Sequence, residues 1–207
     1  IYSLAELEAL SNFANANDIR LHMDGARFAN ALVALGCSPA EMTWKRGIDV
    51  LSLGATKNGT FCAEAILFFD QELAQGFVRH LKRSGHLLSK QRFMSEQLLA
   101  LLNNGLWLET ANKANQTAQT IAKAISEIPN AKVWGVTEAN IVLASLPIAI
   151  AMTLEKQGVW FRCGPMSPLG MCECRFVTSF ETTETEVAAL SAVVASLGSI
   201  IAKGDKS

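Results

Sequence analysis

The order of elements at the start of the chain constrains the fold most. Ser3 and Glu6 have the spacing of a capping box, and Leu4, Leu7, Leu10 and Phe13 follow at helical spacing, so residues 3–16 read as an amphipathic helix. Residues 19–23 read as a short strand with Asp24 at its C-terminal end, residues 26–35 as a helix stopped by Gly36, and residues 49–53 as a second strand. Residues 63–69 are a third, nearly continuous apolar run of the kind buried on both faces of a sheet. Helix, strand, helix, strand in this order predicts an α/β fold with parallel strands and crossovers. In such sheets ligands sit at the carboxyl ends of strands, where Asp24 and the turn at Gly54–Asn58 both fall.

That turn reads Thr56-Lys57-Asn58-Gly59, and the acid's segment reads His22-Met23-Asp24-Gly25-Ala26-Arg27. An acid at one strand end and a lysine in a small, glycine-flanked turn at a second are what pyridoxal phosphate (PLP) chemistry requires. The lysine amine condenses with the cofactor aldehyde, and the carboxylate holds a proton on the pyridine nitrogen. Two competing readings are a solvated surface lysine and an aspartate that caps the helix beginning at Ala26. Arg27, close to one helical turn beyond Asp24, is either a site residue or a surface arginine. His22 shares a strand face with Asp24 and is read as a packed histidine, with a place near the ring as the alternative.

The rest of the chain has a different pattern. Residues 71–128 are helical with a polar break near Ser84-Gly85, and a long helix over residues 106–128 is placed to link two domains. Strands are predicted at 132–134, 141–145, 159–163 and 171–178, with helices at 149–157 and 184–201. This gives two domains, residues 1–110 and a small α+β unit at 111–207 that includes the linking helix. Arg175, in the apolar stretch Cys174-Arg175-Phe176, suits a bidentate grip on a carboxylate, either a ligand's or that of Glu173. Lys90 and Arg92 follow the Gly85 break, where a solvated helix face competes with a phosphate contact.

Composition excludes several classes. The formal net charge of −1, without basic blocks, gives no nucleic-acid or membrane-surface signal. No apolar run reaches the roughly 18 residues of a transmembrane helix. Five cysteines, at scattered positions, predict no disulfide framework and a reducing cytoplasm. Cys172-Glu173-Cys174 lacks further close-spaced ligands, so no metal site is expected. The chain starts at Ile1 within a loop entering a helix, with no signal peptide at that end, and is expected to be part of a longer protein.

Three segments, in order, resemble the L-threonine aldolases, fold-type I PLP enzymes of the β-eliminating lyase group. Leu21 to Ala31 resembles the aspartate segment, Ser52 to Gly59 the lysine segment, and Met171 to Phe180 the small-domain strand bearing the substrate-carboxylate arginine. The resemblance covers the whole chain and the C-terminal portion of a family member. It implies the end of a PLP-binding large domain plus a small α+β domain, forming a cytoplasmic homodimer or homotetramer. The implied reaction is reversible cleavage of L-threonine or L-allo-threonine to glycine and acetaldehyde. The alternatives are a phenylserine-type or other β-eliminating activity on the same scaffold, and a non-catalytic relative. Lys57 and Asp24 take the catalytic and cofactor roles, Arg27 lies beside the cofactor, and Arg175 binds the substrate carboxylate; Arg92 and His22 are secondary candidates. The base for the β-hydroxyl proton is not identified. The phosphate cradle and the ring-stacking histidine belong, by this resemblance, upstream of Ile1, and the chain by itself is expected to be inactive.

Overall fold

The computed structural model describes residues 1–204, with side chains described through residue 196. The chain divides into two compact units, Ile1–Thr110 and Ala111–Ser207.

The first unit begins with α1 (Leu4–Ala16). Its capping box is present: the Glu6 N–H donates to Ser3 Oγ at 3.2 Å, and the Ser3 N–H donates to Glu6 Oε2 at 2.7 Å. Then come β1 (His22–Gly25), α2 (Phe28–Leu35), the one-turn helix α3 (Pro39–Met42), β2 (Val50–Leu53) and β3 (Ala65–Phe68). Gly36 ends α2 at φ 61°, a left-handed conformation that favours glycine. α3 has its own capping box, Ser38 with Glu41, with Pro39 at the first helical position. α4 (Phe77–Arg83) and α5 (Arg92–Leu102) follow, separated by the predicted break, where Gly85 has φ 77°. The three strands form one sheet in the order β1-β2-β3.

Two expectations need correction here. β1 and β2 are parallel, but β2 and β3 are antiparallel, so no crossover joins them. β3 is also not buried on both faces, since Ile66 and Leu67 are 45% and 36% exposed. An apolar run carries no information about strand direction, and among the described residues β3 pairs with β2 alone. The core of this unit is Leu7, Phe28, Leu32, Met42, Leu51 and Leu53, with Trp107 packed against it.

α6 (Leu106–Ser126) contributes its first turn to this unit and continues into the second. There β4 (Lys132–Val133), β5 (Ile141–Pro147), β7 (Met171–Val177) and β6 (Arg162–Met166) form an antiparallel sheet in the order β4-β5-β7-β6, with α7 (Ile148–Lys156) and α8 (Glu184–Gly204). β5 and β7 show the two-residue period of a half-buried sheet: Val142, Ala144 and Leu146, and Cys172, Cys174 and Phe176, point into the core. β6 starts at Arg162, later than predicted, and its pairing shifts register between Cys163 and Met166.

Antiparallel pairing of β6 with β7 also overturns the reading of the cysteines as unpaired. Cys163 and Cys172 form a disulfide, and Cys37, Cys62 and Cys174 are free. The ligand atoms of Cys163, Cys172 and Cys174 all lie within 4.8 Å of one another, a grouping that the sequence reading missed because Cys163 is distant along the chain. Burial, and secondarily the Glu155 charge, pushes the Cys174 thiol up to about 11. Among the described residues no helix is long and apolar enough to cross a membrane.

Candidate active site

The parallel pairing of β1 with β2 places Asp24 directly opposite Ser52, and Gly25 opposite Leu53. The chain leaves both strands in turns that are pressed together. The Gly54 N–H donates to the Gly25 carbonyl at 3.0 Å. A Cβ on Gly54 would lie 2.5 Å from the Ala26 Cα, and one on Gly25 would lie 2.7 Å from the Ser52 carbonyl oxygen. Only glycine fits at these two positions, so the acid-bearing and lysine-bearing turns are held as one unit.

Asp24 lies in β1 one residue before its end, and its side chain is exposed. Its Oδ1 accepts the Ala26 N–H at 2.9 Å, an Asx turn. The helix-cap reading is therefore corrected: α2 starts at Phe28, and Arg27, not Asp24, occupies its N-cap position. Asp24 Oδ2 takes no part in that turn. His22, on the same strand face, is exposed rather than packed, and its Nε2 lies 2.8 Å from Ser52 Oγ. Arg27, three residues beyond Asp24 at the N-cap position of α2, is partly buried.

Lys57 occupies a 3-10 turn, Thr56–Asn58, and is exposed. Its neighbours are fastened on three sides. The Ala55 and Thr56 N–H groups donate to the two Glu64 carboxylate oxygens at 3.3 and 3.0 Å. Asn58 is buried, donates from Nδ2 to the Trp107 carbonyl at 2.8 Å, and accepts from Thr110 Oγ1 at 3.0 Å. Thr60 donates its N–H to the Ala55 carbonyl at 3.2 Å and its hydroxyl to the Ala63 carbonyl at 2.9 Å. Sequence reasoning missed Ser52, Glu64 and Thr110; a glutamate just before a strand carries no local signal for an acceptor of loop N–H groups.

Burial therefore does not single out Lys57, since the lysine is exposed on a rigid turn. The donor set fits pyridoxal phosphate. An amine without an ion-pair partner among the described residues, and a carboxylate with one oxygen outside its turn, stand on two interlocked strand ends. Lys57, Asp24 and Arg27 are the residues of this unit that would hold the cofactor.

Arg92 opens α5, is exposed, and has its guanidinium carbon 4.9 Å from the Phe93 ring centroid. A cavity of about 660 Å³ in this unit is lined by residues including Glu64, His80, His86 and Gln91, and by neither Asp24 nor Lys57. In the second unit Arg175 lies on β7, half-buried, with no ion pair to Glu173. It lines a separate cavity of about 400 Å³ with Trp134, Leu143, Arg162 and Glu173.

Known proteins resemble this arrangement. The chain is 41% identical over 192 residues to a low-specificity L-threonine aldolase of Pseudomonas sp. strain NCIMB 10558, covering 93% of this chain and 54% of that protein. It is 39% identical over 182 residues to one from Pseudomonas aeruginosa, covering 88% and 51%. The chain thus spans about half the length of the curated relatives it matches. Among solved structures, a threonine aldolase of Leishmania major superposes with a TM-score of 0.88 at 23% identity, over 95% of this chain and 57% of that one, which shows a shared fold of the fold-type I class. The family model for beta-eliminating lyases matches residues 1–146, and the chain belongs to that family of PLP-dependent enzymes.

Proposed function

We propose that this chain serves a PLP-dependent aldehyde-lyase that reversibly cleaves L-threonine and L-allo-threonine to glycine and acetaldehyde. The observation that carries the reading is the interlocked pair of strand-end turns presenting Asp24 and Lys57, in a chain about 40% identical to two proteins named low-specificity L-threonine aldolases.

When bound, PLP supplies an electron sink for the pair released as the Cα–Cβ bond breaks. Asp24, whose Oδ1 accepts the Ala26 N–H, would hold a proton on the pyridine nitrogen. A carboxylate close to that nitrogen favours its protonated form. The Lys57 amine is the group that would hold the cofactor aldehyde and, when free, would hold or move a proton at the substrate Cα. Rigid fastening by Glu64 and Asn58 limits the positions that the amine samples, which lowers the entropy of reaching a reactive geometry. Arg27 lies beside the cofactor, and Arg175 orients the amino-acid carboxylate through its planar fork. Residues 1–110 act as part of the cofactor-binding domain and residues 111–207 as the small domain. His22 and Arg92 are secondary members of the set. A homodimer or homotetramer in the cytoplasm completes the reading, which light scattering and fractionation test.

The deciding experiment adds PLP to the purified full-length protein that contains this chain and to its Lys57→Ala variant, recording the visible spectrum and then acetaldehyde release from L-threonine. The expected result is a long-wavelength band and acetaldehyde with wild type, and neither with the variant. A band without acetaldehyde, or with benzaldehyde from phenylserine only, would replace the threonine assignment. No band would remove the cofactor assignment.

A further inference from the structure

We propose that Arg162 and Arg175 form a paired clamp in which two guanidinium groups hold one carboxylate. Arg162 carries no signal in the sequence, and its partnership with Arg175 appears only when the strands pair. The two arginines are direct partners across β6 and β7, so their side chains leave the same face of the sheet. Partners at such positions have Cβ atoms about 4.5–5.5 Å apart, and like charges facing each other there are destabilising. An adjacent acid usually relieves such a clash. Here neither arginine forms an ion pair among the described residues, although Glu173 lines the same cavity.

That cavity, of about 400 Å³, is lined by Arg162, Arg175 and Glu173 together with Trp134 and Leu143. Its lining carries two cations and one anion, an excess of one positive charge that a single carboxylate neutralises. The two arginines divide the work. Arg175, half-buried on the inner strand β7, takes one oxygen, and exposed Arg162 on the edge strand β6 closes on the second. A planar fork on each side fixes the carboxylate plane, which one arginine with one lysine does not do. Trp134 and Leu143, 46% and 48% exposed, provide an apolar wall for the remainder of a small ligand. The identity of that ligand as the amino-acid substrate rests on the function proposed above; the clamp itself rests on the strand register and the cavity.

The test follows the arginine Nε–Hε resonances of the purified protein by NMR during titration with glycine, with Arg162→Lys and Arg175→Lys supplying the assignments. Both resonances are expected to shift along one binding curve. Arg162→Gln should weaken glycine binding about tenfold and raise KM for L-threonine by a similar factor, with the loss falling on KM rather than kcat. Arg162→Lys, which keeps the charge but loses the fork, should recover part of it. The clamp is overturned if Arg162 does not respond to glycine, or if Arg162→Gln binds glycine and threonine as wild type does. If both resonances move together but L-threonine releases no acetaldehyde, the clamp stands and the aldolase reading fails.

Discussion

The two units of this chain are held together in different ways. Among the described residues the second has one cluster of fifteen buried residues around a four-stranded sheet, from Ala118 to Val194, and β5 and β7 alternate regularly between core and surface. Among the described residues the first has a smaller main cluster of six, leaves part of β3 exposed, and buries five polar residues, Ser11, Asn30, Thr43, Asn58 and Thr60, against Asn115, Asn140 and Thr178 in the second. One region relies on apolar burial. The other adds to a smaller apolar core a set of hydrogen bonds around the turns that bear Asp24 and Lys57. The lesson is that the turns bearing Asp24 and Lys57 are positioned by polar fastening of the backbone, while the two side chains themselves stay accessible. Burial, the usual argument for a functional lysine, has no role at Lys57.

Substitutions can break or sharpen this contrast. Lys57→Ala should have the largest effect, reducing lyase activity at least about a thousandfold, while thermal stability changes by less than about 0.5 kcal/mol because the side chain is exposed. Kinetics and calorimetry on one preparation would show both. Leu146→Ala, at a fully buried position of the second unit, should show the opposite behaviour. Denaturant unfolding should register a loss of about 2–5 kcal/mol, with PLP attachment at Lys57 unchanged under folding conditions. Gly54→Ala lies between them. The added methyl meets the Ala26 backbone, so a stability loss of about 1–3 kcal/mol should accompany a clear loss of activity; a stable, fully active variant would contradict the interlocked turns.

The smallest effect is on pH dependence. The Ser38 hydroxyl, and then its backbone N–H, hold the Glu41 carboxyl below its ordinary value. The Thr183 N–H and hydroxyl do the same for Glu186, as do the Ser3 groups for Glu6. A carboxyl lowered on folding stabilises the fold above its unfolded value of 4.5, and the contribution is lost as pH falls through the lower folded value. Circular dichroism of wild type and Ser38→Ala from about pH 6 to about pH 3 should therefore converge toward the acid end. A difference that grows on acidification would refute the capping role.

Local features of this fold were legible in sequence. The Ser3–Glu6 cap, the Gly36 stop and the alternation in β5 and β7 depend on residues a few positions apart. The places of Asp24 near the end of β1 and of Lys57 in the turn after β2 were legible too. Features that depend on long-range pairing were not. The direction of β3 is set by its register with β2, and an apolar run reads the same in either direction. The Cys163–Cys172 bond and the Arg162–Arg175 juxtaposition both follow from the pairing of β6 with β7. Glu64 has its role only because its carboxylate reaches back to Ala55 and Thr56. His22 was read as packed, yet it lies exposed on the face of β1 that it shares with Asp24.

The close approach of Gly54 to Ala26 also bears on how relatives of this protein can be recombined. A chimera whose junction falls between those two positions inherits one turn from each parent. The halves join without collision only if one parent supplies a residue no larger than glycine and the other a backbone path that leaves room for it. Junctions outside residues 22–59 keep the matched turns together, so Asp24 and Lys57 behave as a single heritable block.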